Sequence, residues 1–277
     1  MTAPFEEFHL SGKTALVTGG STGLGYHAAR ALLRADANVL IAARREELLE
    51  EAAASLTAEN HSGKVSWRSV DLFDRDNVKE LADHATKTLG GIDVFVGNAA
   101  TNYLEQIPDI KLQSVDELFQ LNVTANLQLA QAFLPRMREQ RWGRIIFSSS
   151  VASLGLVPLQ GSTIYAATKS ALNSLARALA TDMGHFNITA NAIVFGIFTT
   201  DMLKRGQRKR EEMLGKEAAQ KFIDDLTSLT ALGRLGDPRE VEGMVQLLAS
   251  NAGSYITGAS LVVDGGMSIM MRPLPVE

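Results

Sequence analysis

Short runs of β-branched and aliphatic residues alternate along this chain with longer stretches in which apolar residues recur every three or four positions. Residues 15–18 (Ala-Leu-Val-Thr) read as a strand, followed by a glycine-rich turn and a helix beginning near Gly23. A second strand over 39–42 leads into a Glu/Ala-rich helix over 45–58. Residues 65–70 alternate as a third strand does, and 74–89 have helical period. Strands four (93–96) and five (144–148) flank a long predicted helix over 115–137. A helix over 163–183 precedes strand six (189–194), and a last one over 238–249 precedes strand seven (259–263). Strands alternating with helices are joined by parallel crossovers, so the pattern predicts an α/β fold: a doubly wound, seven-stranded parallel sheet with helices on both faces. No repeat or linker interrupts it, so residues 1–277 are expected to form a single domain. In such sheets ligands bind beyond the carboxyl ends of the strands, at the point where strand order reverses.

Composition narrows the choice of partner. The 27 Lys+Arg against 31 Asp+Glu give a formal charge of −4, which creates no strong field for nucleic acid or an anionic membrane. Without cysteine there is no disulfide, thiol nucleophile or Cys-ligated zinc. The N-terminal stretch carries Glu6 and Glu7 where a signal peptide has positive charge, and the most apolar run, 188–198, is too short to span a bilayer. A cytoplasmic protein is expected.

After the first strand comes Thr18-Gly19-Gly20-Ser21-Thr22-Gly23-Leu24-Gly25. Its glycines allow a tight turn and close approach of the backbone to a pyrophosphate, which the free N–H groups and positive dipole end of the next helix would hold. An ordinary strand–turn–helix connection is the alternative. A P-loop is not, because no Gly-Lys-Ser/Thr follows. The second strand ends in Ala42-Ala43-Arg44-Arg45, with no carboxylate to accept from a ribose 2′-hydroxyl. Arg44 and Arg45 suit a 2′-phosphate, which favours NADP(H) over NAD(H). Both arginines would otherwise be solvated openers of the next helix, partnered by Glu46 and Glu47.

These residues, taken with others in order, resemble the short-chain dehydrogenase/reductase family from Gly12 to Gly266. The turn matches its Thr-Gly-x-x-x-Gly-x-Gly, and Tyr165-Ala-Ala-Thr-Lys169 its Tyr-x-x-x-Lys. Asn98-Ala99 stands where the family has Asn-Ala-Gly, Asn122 sits in Leu-Asn-Val, and Ser150 closes a Ser-Ser-Ser run. Gly233-Arg-Leu-Gly-Asp-Pro, Ile256-Thr-Gly and Val263-Asp-Gly-Gly are similar to later family segments. The resemblance implies a Rossmann-type fold and hydride exchange between a nicotinamide and a carbonyl or secondary alcohol of a small molecule.

Hydride transfer at a carbinol carbon requires a proton to move on its oxygen, and a phenol is a poor base unless its pKa is lowered. Tyr165 and Lys169 are four apart, on one helix face, so the ammonium is expected to stabilise the phenolate. The resemblance adds a hydrogen bond from Lys169 to the nicotinamide ribose. Ser150 would donate to the substrate oxygen, with Ser148 and Ser149 as alternatives. Asn122 resembles the family residue that disrupts its helix and holds a water in a proton relay; a polar residue on a helix surface is the other reading. By matching position, Asp71 and Leu72 reach the adenine, Asn98, Ala99 and Ala100 line the adenosine ribose, and Gly196 and Thr200 bracket the carboxamide. Asp71 as a helix N-cap and Thr200 as a loop hydroxyl are the plainer alternatives.

Three departures touch the binding surface. Ala100 replaces the glycine of Asn-Ala-Gly, Phe195 replaces a proline, and the segment from Ser150 to Tyr165 is longer than usual. Phe195 either loosens its turn or sets a ring beside the nicotinamide. A charged segment, about 200–232, is the expected substrate lid. It reads as a cationic attractor for an acidic substrate or, by preference, as solvated helix faces balanced by Glu211, Glu212 and Glu217. The 163–183 helix is apolar around more of its circumference than one core face needs, and with the resemblance this implies a homotetramer. Two other functions share the pattern: reduction of an enoyl or imine bond, and dinucleotide sensing without turnover.

Overall fold

The computed structural model describes residues 6–155 and 161–270. Seven strands, β1 (Thr14–Thr18), β2 (Asn38–Ala43), β3 (Val65–Ser69), β4 (Val94–Gly97), β5 (Gly143–Ser150), β6 (Ile188–Phe195) and β7 (Ser260–Val263), form one sheet. Their order is β3-β2-β1-β4-β5-β6-β7 and every pairing is parallel. The central strands are buried on both faces, as a parallel sheet between helical layers requires. On one face, α1 (Gly23–Arg34), α2 (Glu46–Ala58) and α9 (Glu242–Ala249) pack through Ala29, Leu32, Leu49 and Val245 against Val17, Ile41 and Val96. The other face carries α3 (Arg75–Leu89), α5 (Ala125–Glu139) and α6 (Thr163–Met183), whose Leu81, Leu129 and Leu172 meet Leu16, Phe95 and Phe147.

β1 and β4 are neighbours, whereas β2 and β3 run outward on the other side of β1. Strand order therefore reverses between β1 and β4, which opens a crevice beyond Thr18 and Gly97. All the predicted strands are present. The predicted long helix is present: α4 (Leu112–Phe119) runs on into α5 through a π-helical segment, Gln120–Thr124. The last predicted helix opens with a 3-10 turn, Pro238–Val241, before α9. The lid segment is two helices, α7 (Asp201–Leu214) and α8 (Lys216–Ser228), packed on each other with Arg210 over the Phe222 ring at 4.1 Å. Lys204, Arg205, Arg208, Glu211, Glu212 and Glu217 are exposed, the solvated-face reading of that segment. No helix among the described residues is long and apolar enough to cross a membrane.

Candidate active site

The glycine turn is a place where side chains are excluded by contact. Gly19 has φ +66°, and a Cβ there would lie 2.8 Å from Asn98 Nδ2. A Cβ on Gly25 would run into the Gly19 carbonyl, and Gly23, at φ +57°, lies against the Thr200 side chain. No side chain caps the start of α1, which leaves its first N–H groups open toward the crevice mouth. That is the arrangement a pyrophosphate needs, so the residues present fit a dinucleotide. Asn98 fixes the turn: its Nδ2 donates to the carbonyls of Thr18 (3.1 Å) and Gly19 (3.2 Å). Thr18 Oγ1 in turn accepts from the backbone N–H of Asn98 and Ala99, at 3.0 and 3.1 Å. Ala100 keeps a negative φ, so its methyl replaces the family glycine without strain. Ser21, Thr22, Gly23 and Thr200 line a groove of about 530 Å³ beside the turn. Thr200 also caps α7 through Leu203 N, at 3.4 Å.

The two arginines after β2 differ in placement. Arg44 lines a cleft of about 390 Å³ together with Arg68, Ser69, Asp71 and Asn77, while Arg45 stands at the N-cap of α2. Neither forms an ion pair with Glu46 or Glu47 among the described residues. Asp71 is exposed in that cleft and accepts from Phe73 N at 3.2 Å; the N-cap of α3 is Asp74 instead. Leu72 is buried, its side chain packed in the core below α3. Arg68, on β3, escaped the sequence reading because only the register of β2 on β3 places it beside Arg44.

Tyr165 and Lys169 lie one turn apart near the start of α6, and the Tyr165 hydroxyl hydrogen-bonds with Ser150 at the end of β5. Ser148 and Ser149 are engaged elsewhere: Ser148 Oγ donates to Asn98 Oδ1 (3.1 Å) and Ser149 Oγ to the Lys169 carbonyl (3.1 Å). Lys169 is 3% exposed, and its Nζ donates to the Ser148 carbonyl at 2.6 Å. Burial pushes its pKa down to about 7. Tyr165 is not lowered as the sequence led us to expect. Burial raises its pKa, and the Ser150 hydrogen bond opposes that in part. Lys169 Nζ lies over the Tyr165 ring, 5.5 Å from its centroid.

Asn122 is fully buried inside the π-helical segment and is no surface residue. Its Oδ1 accepts from Thr101 N (3.0 Å), and its Nδ2 donates to the Thr101 carbonyl (3.1 Å) and to Thr168 Oγ1 (3.0 Å). Asn122 thus clamps the loop after β4 to the turn of α6 between Tyr165 and Lys169. The Asn122 carbonyl accepts from the side chain of Asn126 at 2.8 Å. Asn126 Oδ1 occupies the space that a Cβ on Gly97 would fill. Asn126 and Gly97 form a matched pair that sequence reasoning missed.

Phe195 turns its ring into the core, edge-on to Phe198 with centroids 5.8 Å apart. Gly196 is required by packing, since a Cβ there would lie 2.6 Å from Asp264 Cα. In the long loop before α6, residues 156–160 lie outside the described residues. Its end is tied to the loop after β4 by Glu105 N donating to the Gly161 carbonyl (2.9 Å) and Asn102 Nδ2 to Ser162 Oγ (3.0 Å).

A family model described as short chain dehydrogenase matches residues 13–211. Gluconate 5-dehydrogenase of Gluconobacter oxydans is 32% identical over 264 residues, covering 95% of this chain and 98% of that protein. A tropinone reductase homolog of Arabidopsis thaliana is 33% identical over 266 residues, covering 95% of each. Among solved structures, L-sorbose reductase from Gluconobacter frateurii in complex with NADPH and L-sorbose matches with a TM-score of 0.89 at 28% identity. That match covers 96% of this chain and all of the other.

The Gly97–Asn126 fit predicts non-additive substitutions. Gly97→Ala alone should cost about 1–3 kcal/mol by overpacking against Asn126 Oδ1. In Gly97→Ala/Asn126→Ala the methyl enters vacated space, so denaturant titrations should give a double-mutant cost below the sum by roughly 1 kcal/mol. Costs that simply add would contradict the fit. Burial of Lys169 predicts a pH effect of definite sign. Its folded pKa is about 7 and its unfolded value near 10.5, so between these the unfolded chain binds more protons. Stability of the wild type relative to Lys169→Met should therefore rise from pH 7 toward pH 10, and denaturant titrations at pH 6.5 and 9 measure it. A difference that is flat or falls with pH refutes the burial effect.

Proposed function

This chain belongs to the short-chain dehydrogenase/reductase family, and from that premise we propose that it exchanges a hydride between NADP(H) and a carbonyl or secondary alcohol group of a small molecule. The observation that carries the reading is the meeting of Tyr165 with Ser150, one helical turn from Lys169, at the carboxyl end of β5, on the same edge of the sheet as the glycine turn after β1. When bound, the nicotinamide supplies or accepts the hydride. The proton is the protein's task. Tyr165, kept protonated by burial, donates it to the oxygen of a carbonyl substrate, and Ser150 donates a hydrogen bond to the same oxygen as charge develops there. To Lys169, with a pKa near neutrality and its Nζ over the Tyr165 ring, we assign the return of a proton to the phenol. Asn122 positions that helix against the loop after β4.

Gly19, Ser21, Thr22, Gly23, Leu24 and Gly25 would hold the pyrophosphate. Asn98, Ala99 and Ala100 would line the adenosine ribose, and Asp71 the adenine. Arg44, unpaired and in the cleft beside Asp71, supports a 2′-phosphate and hence NADP(H), as does the NADPH bound by the sorbose reductase relative. A homotetramer is supported by small and apolar residues left on the outer faces of α5 and α6, among them Ala132, Ala167 and Ala178.

Two measurements test the proposal. Tyr165→Phe should lower kcat for NADPH-dependent reduction across a panel of ketones and keto sugars by about a thousandfold or more, while NADPH affinity by fluorescence titration changes little. Turnover near wild type would remove the assignment of the proton donor. In the same assay kcat/KM should favour NADPH over NADH by at least tenfold, and a preference for NADH would sink the cofactor assignment.

A further inference from the structure

Arg68 has no role in the account above, yet it shares a cleft with Arg44. On β3 it lies in register with Ala42 of β2, and Arg44 follows two residues after Ala42. Arg44 lies just past the end of β2, and the two side chains line one cleft at that end of the sheet. Both are exposed, and neither forms an ion pair among the described residues, although Asp71 and Glu80 line the same cleft. Ser69 Oγ donates to the Arg44 carbonyl at 3.0 Å, which pins the chain from which Arg44 projects to the strand that carries Arg68. Arg44 is braced by Phe73, whose ring centroid is 5.5 Å away. Two unpaired guanidinium groups held side by side repel one another, and they gain most from a dianion with oxygens for both forks. The cleft, about 390 Å³, is larger than a phosphate alone and opens beside the carboxylate of Asp71, which can accept from a purine amino group.

We infer that Arg68 is a specificity-determining residue that binds the 2′-phosphate of NADP(H) together with Arg44. The inference rests on the NADP(H) reading above. The competing view is that Arg68 is a solvated charge that protects the open edge of β3 from pairing with another sheet.

Calorimetric titration of the full chain with adenosine 2′,5′-bisphosphate and with AMP separates these without turnover. The wild type should bind the bisphosphate more tightly than AMP. Arg68→Ala should raise the Kd for the bisphosphate about tenfold or more and leave that for AMP within about twofold. Arg68→Lys, which keeps the charge but loses the fork, should fall between. If Arg68→Ala leaves both affinities unchanged, or weakens both alike, the inference is overturned while the NADP(H) reading stands. If the wild type does not distinguish the two nucleotides, the NADP(H) reading itself falls and takes Arg68 with it.

Discussion

The hydrogen bond from Lys169 Nζ to the Ser148 carbonyl is the joint on which the site turns. It gives the buried ammonium, whose pKa burial lowers, a backbone acceptor, and it fastens the start of α6 to β5. From there a hydrogen-bonded thread crosses the sheet. Ser148 Oγ reaches Asn98 Oδ1 at 3.1 Å, and Asn98 Nδ2 reaches the Gly19 carbonyl at 3.2 Å. Three adjacent strands, β5, β4 and β1, are linked at their carboxyl ends between the proton-handling pair and the glycine cradle. A shift in any one of these residues therefore moves both ends of the site together.

Much of this was legible in the sequence because it lives in local pattern. Strand alternation with helices set the class of sheet, and the glycines marked a tight turn in which a Cβ on Gly19 or Gly25 would collide. Of the three serines, Ser148 and Ser149 spend their hydroxyls on Asn98 and on the Lys169 carbonyl, and Ser150 meets the Tyr165 hydroxyl. What was not legible depends on contacts between distant segments. Asn126 looks like an ordinary polar residue in a helix until the strand beside it proves to have a glycine where its side-chain oxygen sits. Phe195, read either as loosening its turn or as setting a ring beside the nicotinamide, turns that ring inward against Phe198, where burial of apolar area holds it.

The π-helical segment shows how a local irregularity becomes useful. Here the Ala125 N–H reaches back five residues to the Gln120 carbonyl, and the Asn122 carbonyl accepts from a side chain, Asn126 Nδ2. The segment turns Asn122 inward, where its amide can hold Thr101 on one side and Thr168 on the other. A straight helix over the same residues would satisfy its own backbone and leave the loop after β4 without that clamp. The helix runs on through this segment, and its irregularity falls at Asn122, where the family resemblance led us to expect a disruption.

The protonation state follows from burial more than from pairing. A charged lysine beside a phenol was expected to make a ready phenolate, but burial disfavours the charged form of both groups, lowering the lysine pKa and raising that of the phenol. At neutral pH the pair is then a protonated phenol and a lysine near its midpoint, with Ser150 sharing the phenolic hydrogen bond. A pair in that state is an acid with a reservoir behind it. It suits the addition of a proton to a carbonyl oxygen, and the reverse reaction requires a base that burial alone does not create.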